Sequence, residues 1–172
     1  NMLESEMDDS IFFLPYLTGE RAPINDPYAQ GVIFGLGLHH TKKNIDRAIV
    51  EGVTFALRDS FELIKNLGVD IKRVRITGGG SKSNIWSQMI SDIFNVEVVK
   101  IHTDEGPALG AAILAMVGCN EYKSVTEACQ NIIKLSRNFY PSRFLSEKYD
   151  IKYNKFVTLY PQLKQLFVDK KS

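Results

Sequence analysis

Between Ile45 and Leu67 apolar residues return every three or four positions: Ile45, Ala48, Ile49, Val53, Ala56, Leu57, Leu63, Ile64 and Leu67. That is the spacing of one helix face. Thr41 stands where an N-cap belongs and Gly68 where a helix closes, so a long helix is predicted from Lys42 to about Leu67. Ahead of it, Gly31–Leu38 reads as a strand with glycines wherever a neighbour presses close. Residues 11–17 are apolar too, but Pro15, Pro23 and Pro27 make this stretch an irregular, buried approach rather than a long element. Further on, 73–77 predicts a strand, 84–94 a helix and 97–101 another strand. Pro107 suits the first turn of a helix starting near Gly106, whose small residues would let it lie very near another backbone. Residues 124–136 and 146–169 complete the pattern as amphipathic helices. The last carries Tyr149, Tyr153, Phe156, Tyr160, Leu163 and Phe167, a stripe that reads as core packing because no basic residues interleave with it as in a base-stacking platform.

The order β-α-β-α-β-α calls for a largely parallel sheet covered by helices, although three strands are few for so many helices. At 172 residues, 44% hydrophobic and 24% charged, the chain is ordinary globular material, able to bury about 70% of its unfolded surface. A net charge of +1, with one basic cluster at Lys170-Lys171, argues against a nucleic-acid partner. No apolar run reaches the length of a bilayer, and the acidic start, Asn1 to Asp9, is unlike a signal peptide, so no membrane partner is expected. Cys119 and Cys129 match no zinc, redox or disulfide framework, which points to a reducing, cytoplasmic setting. His39, His40 and His102 have no ligand spacing, and no metal site is expected.

The segment richest in chemistry is Thr77-Gly78-Gly79-Gly80-Ser81-Lys82-Ser83-Asn84, between a strand-like and a helix-like run. Three glycines there let backbone pass close to a ligand, because no Cβ blocks the approach and positive φ is open. Ser83 or Asn84 can cap the following helix, whose N-terminal amides favour anions or polar ligands. A nucleotide is the first candidate, and a tight turn with no ligand is the alternative the glycines alone leave open. A dinucleotide fold of the Rossmann kind is disfavoured, since the glycines are not spaced G-x-G-x-x-G and no acidic residue follows at the right distance.

Four blocks together resemble a family. They are Gly31–Leu36 followed after seven residues by Asn44–Glu51; Thr77–Ser83 with Trp86, Gln88, Ser91 and Asp92; Glu105–Ala112; and Phe13–Pro23. Standing along the chain in the family's order, they resemble the C-terminal signature of the FGGY carbohydrate kinases, over about residues 12 to 118, and Phe13–Pro23 is most similar to the xylulokinase branch, with gluconate kinases next. The resemblance implies an α/β, ribonuclease H-like (actin-like ATPase) domain, incomplete and lacking its first two strands. Residues 1–172 would be the C-terminal, nucleotide-binding part, and the N-terminal sugar-binding domain with its general base has no counterpart here.

The resemblance further implies ATP and Mg²⁺, with transfer of the γ-phosphate to a sugar hydroxyl: D-xylulose to D-xylulose 5-phosphate, or gluconate or another sugar. The sugar would be reached only through the N-terminal domain, and the chain alone is expected not to turn over. Gly79 and Gly80 would press against adenine and ribose, with Gly78 serving the turn. Ser83 would sit at the pocket edge, where the family often carries the longer asparagine, and Gly106 would lie in a loop, Glu105–Ala108, beside the nucleotide. No catalytic residue is assigned. Asp92 reads as structural or solvated. Glu20 and Arg21 sit in a loop without an assigned role, an ion pair bracing the domain being one possibility. Two rival readings are an actin-like or chaperone-type ATPase, disfavoured by Glu20–Pro23 and Phe34–Leu36, and a non-catalytic module that self-associates into a homo-oligomer through an uncovered sheet edge.

Overall fold

In the computed structural model, which describes residues 10–102 and 106–167, the chain runs β1 (Phe12–Pro15), β2 (Gly31–Phe34), α1 (Lys42–Asn66), β3 (Arg73–Ile76), α2 (Asn84–Phe94), β4 (Glu97–Ile101), α3 (Gly106–Gly118), α4 (Val125–Ile132), β5 (Leu135–Phe139) and α5 (Arg143–Leu163). These elements fall into two units. Of the described residues, one unit gathers those up to Ile71, Asp92–Asn95 and those from Pro141 onward; the other holds those of Lys72–Ser91 and Val96–Tyr140.

In the first unit β1 and β2 pair antiparallel, from Phe12 opposite Phe34 to Pro15 opposite Gly31. Residues 12–15 are thus a true strand, not the irregular approach their prolines suggest. Pro15 closes a strand that has β2 as its one partner among the described residues, and proline is tolerated on an edge strand of that kind. The strand expected through Leu38 stops at Phe34, because Gly35 turns to φ +82°. A Cβ on Gly35 would run into the Ser10 carbonyl.

Helix α1 starts at Thr41, whose N–H and Oγ1–H both donate to Asn44 Oδ1 at 2.9 and 2.6 Å. It ends at Gly68, which has φ +85° and donates its N–H to Lys65 O. The helix lies so close to β1 that a Cβ on Gly52 would meet the Phe13 carbonyl. Its buried face is not the expected apolar stripe: Ala48, Glu51, Gly52, Thr54, Phe55 and Phe61 are inside, while Ile49, Leu57, Leu63, Ile64 and Leu67 stay exposed.

That face is organised around a charge. Glu51 and Lys152 are only 1% and 2% exposed, and Lys152 Nζ donates to Glu51 Oε2 at 2.6 Å. Arg47 Nε donates to Oε1 at 2.7 Å, and Arg47 Nη2 donates to the Tyr149 hydroxyl at 2.9 Å. Around them Phe55 packs on Tyr149, Tyr153 and Phe156 of α5. The aromatic stripe of α5 therefore serves the core, as expected, although α5 begins at Arg143 rather than 146. Asp92 has a structural place as well: it is buried and accepts the Ser142 N–H at 2.8 Å, at the start of α5.

The loop between β1 and β2 is braced from within. Glu20 and Asp26 exchange backbone N–H···O bonds of 2.8 Å, and Glu20 Oε1 accepts the N–H groups of Arg21 and Ala22. Among the described residues, Glu20 braces its own loop through these N–H groups rather than through an ion pair. Asp26 accepts the Tyr160 hydroxyl at 2.7 Å and the Tyr28 N–H at 2.8 Å. Those two bonds, the hydroxyl first, hold its carboxyl below the usual range.

The second unit is a three-stranded sheet in the order β3-β4-β5. Its β3 and β4 are parallel and its β4 and β5 antiparallel, so the expectation of a parallel sheet holds for one pair only. Strand β5 occupies part of the helix expected over 124–136. Four of its five residues are exposed and only Phe139 is buried, so no alternation marks it. Ties from α2 hold it: Ser91 Oγ lies 2.7 Å from the Val96 carbonyl and 3.1 Å from that of Phe139, and Gln88 Nε2 donates to Tyr140 O. Along the start of β4, Glu97 accepts from Arg73 at 2.6 Å and from Asn138 at 2.7 Å, linking all three strands. The close approach to another backbone expected along α3 is not seen at its glycines: a Cβ on Gly106 would meet the Thr77 side chain, and one on Gly110 would meet no described atom within 4 Å beyond its own helix.

Removing one member of a buried ion pair leaves the other charge unpaired away from water. Glu51→Ala should therefore cost about 3–5 kcal/mol in urea denaturation followed by tyrosine near-UV circular dichroism. A loss below about 1 kcal/mol, the scale of exposed pairs, would contradict this account of the first unit's core.

Candidate functional site

Because β3 and β4 run the same way, with Ile76 opposite Lys100, the connections that follow them leave from the same edge of the sheet. In open α/β sheets that carboxyl edge is where ligands bind. After β3 comes Thr77 and then Gly78, with φ +85° and ψ −173°, a region essentially reserved for glycine. Residues Gly79–Lys82 form one 3₁₀ turn. Within it, the Ser81 N–H and Oγ–H both donate to the Gly78 carbonyl, at 3.1 and 2.8 Å, and the Ser83 N–H donates to Gly80 O at 3.2 Å.

Ser83 is the cap of α2. Its Oγ accepts the Trp86 N–H at 3.2 Å, and its carbonyl accepts the Ser87 N–H and Oγ–H at 3.0 and 2.9 Å. As an acceptor in that bond, Ser83 Oγ keeps its own proton for a further acceptor. Asn84 is the first residue of the helix itself.

The glycines differ in what surrounds them. Beyond the adjoining backbone, no described atom lies within 4 Å of where a Cβ would stand on Gly78 or Gly79. On Gly80 that position is filled by the Trp86 ring, and on Gly106 it lies 2.8 Å from Thr77 Cγ2. The first residue of α3 thus rests on the residue leading into the turn. The structure brings Gly78, Gly79, Gly80 and Ser83 into one turn and sets Gly106 against its base; Glu105, expected beside them, lies outside the described residues. The sequence alone gives neither Thr77 nor Trp86 a role. An indole one turn into a helix that follows a glycine was the signal available for Trp86.

The turn is an open wall, with Gly79, Gly80 and Ser83 exposed. A separate cleft of about 490 Å³ in this unit is lined by Arg75, Thr126, Cys129, Gln130 and neighbouring apolar residues of α4 and β5, and shares none of the turn's residues. Among the described residues, no three His, Cys, Asp or Glu side chains gather into a metal-binding group. No described helix is long and apolar enough to cross a membrane.

The profile of the FGGY family of carbohydrate kinases, C-terminal domain, matches residues 3–119. The chain is similar to a xylulose kinase of Staphylococcus epidermidis, 36% identical over 161 residues, covering 94% of this chain and 32% of that protein. A ligand-bound xylulose kinase from Lactobacillus acidophilus superposes with a TM-score of 0.85 at 29% identity, over 91% of this chain and 32% of the other. A glycerol kinase of Plasmodium falciparum, solved with ADP, superposes at 0.75 and 26% identity, over 91% of this chain and 32% of the other. The chain spans about a third of the length of the curated relatives it matches.

If Gly78 serves backbone conformation and Gly79 leaves open space, alanine should separate them. Gly78→Ala should cost about 1–3 kcal/mol. Gly79→Ala should stay within about 0.5 kcal/mol, as at a surface position without special geometry. Urea denaturation followed by the fluorescence of Trp86, the chain's one tryptophan, measures both, and equal losses would contradict the assignment.

Proposed function

The chain belongs to the FGGY family of carbohydrate kinases, and on that premise we propose that it is the C-terminal, nucleotide-binding part of an enzyme that transfers the γ-phosphate of ATP to D-xylulose. Its fold is the α/β, ribonuclease H-like (actin-like ATPase) fold of that family. One observation carries the proposal: the open side of Gly78 and Gly79 stands at the carboxyl edge of two parallel strands, beside the start of α3 at Gly106.

Phosphoryl transfer depends on positioning and charge neutralisation more than on covalent chemistry. In this reading Gly78 sets the turn, and Gly79 and Gly80 form the wall against which the adenine and ribose rest. The Ser83 hydroxyl, held as the α2 cap, offers its proton at the pocket edge, and Gly106 closes the wall. ATP supplies the transferred group. Mg²⁺ would ride mainly on the phosphates, since it keeps several waters and takes few protein ligands when nucleotide phosphates are present. The sugar and the general base belong to an N-terminal domain outside this sequence, and no catalytic residue is assigned here. A cytoplasmic location accords with an enzyme that draws on the ATP pool.

A second reading, a self-associating module without catalysis, is favoured by one observation. Among the described residues strand β2 pairs with β1 alone and exposes Ile33 and Phe34 without a charge on the strand, and edges of that kind pair with other chains. Light scattering that grows with concentration supports this reading, and a clean monomer at high concentration contradicts it.

The kinase reading is tested by assaying the purified chain for ATP-dependent phosphorylation of D-xylulose and gluconate. No turnover is expected from the chain alone, because a general base and phosphate contacts are each worth about 10²-fold or more in rate. Turnover on the order of 10 s⁻¹, ordinary for an enzyme, would contradict it. Calorimetric titration with ATP and Mg²⁺ should show binding weaker than micromolar, and a submicromolar affinity would contradict the partial site.

A further inference from the structure

Side chains on a helix lean toward its N-terminus and cover the turn before their own Cα. Trp86 is in the first turn of α2, so its indole is carried back over the glycine turn. There it takes the volume beside Gly80: an added Cβ would collide with Cζ3 and stand 3.0 Å from both Cε3 and Cη2. The same residue's N–H is bound to Ser83 Oγ, and the Ser83 N–H is bound to Gly80 O. Ring, cap and turn therefore form one closed set. The indole is half-buried, large enough to dominate local packing, while Gly78 and Gly79 keep their open side.

We propose that Trp86 is the positioning residue of the turn, with its indole seated where Gly80 lacks a side chain and so fixing the backbone against which the nucleotide rests. The three glycines then divide the work. Gly78 supplies a backbone conformation, Gly79 leaves room for the ligand, and Gly80 leaves room for Trp86. This rests on reading the turn as a nucleotide wall. Trp86 touches no reacting atom and acts through Gly80.

The test compares Trp86→Phe, Trp86→Ala, Gly80→Ala and Gly79→Ala in the full chain, by saturation-transfer NMR on the adenine protons of ADP and by circular dichroism. Phenylalanine should rescue, with ADP binding within about twofold of the unaltered chain, because an aromatic ring still fills most of the site. Trp86→Ala and Gly80→Ala should weaken binding about tenfold or more, equivalent to ~1.4 kcal/mol, with the far-UV spectrum unchanged. Without ADP, Gly80→Ala should alter the near-UV indole band and Gly79→Ala should not. Unaltered ADP binding in Trp86→Ala overturns the positioning role; an unaltered indole band in Gly80→Ala overturns the packing beneath it. If Trp86→Ala fails to fold, Gly80→Ala and Trp86→Phe decide the same question. An unaltered chain that gives no ADP signal overturns the nucleotide reading itself, and the proposal with it, while the indole band still judges the Gly80–Trp86 packing separately.

Discussion

The parallel pairing of β3 with β4 is the constraint on which the site depends. Had the strands run oppositely, the turn after Ile76 and the start of α3 would stand at opposite edges of the sheet. Instead Gly106 meets Thr77. The pairing is secured away from that edge by Glu97, which takes hydrogen bonds from Arg73 and Asn138 and whose carboxyl Arg73, chiefly, holds below its ordinary range. Beneath it Val98 and Val99 are fully buried. A charged clamp across three strands and an apolar β4 thus hold in place loops that are themselves exposed. Rigid strands carrying open loops are the arrangement in which function usually sits.

The first unit is built on a different principle. Its centre is a carboxylate, Glu51, shared by Lys152 and Arg47 and walled by aromatic rings. Such a pair contributes little net stability over an apolar equivalent, since desolvation offsets most of the attraction. It does fix which face of α1 turns toward α5, because any other rotation would leave a carboxylate or an ammonium buried alone. Gly52, one residue on, then lets the helix settle onto the Phe13 carbonyl.

Much of this was legible in the sequence, for reasons that can be named. Helix α1, strands β3 and β4 and the glycine turn announce themselves through period, apolar runs and residues with special backbone freedom. The buried face of α1 did not, because its organising partner, Lys152, is 101 residues away. Strand β1 was hidden by Pro15, which the structure places on a strand with one partner among the described residues, where proline is tolerated. Strand β5 was hidden because its exposed residues leave no alternation to read, and its hold on the sheet comes from β4 and from Ser91 and Gln88 on α2. At the site, the family resemblance pointed to the turn and to Gly106, and the structure sets them side by side. It could not tell that Gly80 faces an indole while Gly79 faces open space, since the difference lies in how α2 aims Trp86.

The central claim is that the open edge of this turn is a nucleotide wall. It is tested most directly by two-dimensional ¹⁵N–¹H correlation spectra of the chain during titration with ADP. The account predicts shifts concentrated on the amides of Gly78, Gly79, Gly80, Ser83 and Gly106, with strands β1 and β2 unmoved. Shifts gathered instead along the cleft of Arg75, Thr126 and Gln130, or no shifts at millimolar ADP, would contradict it.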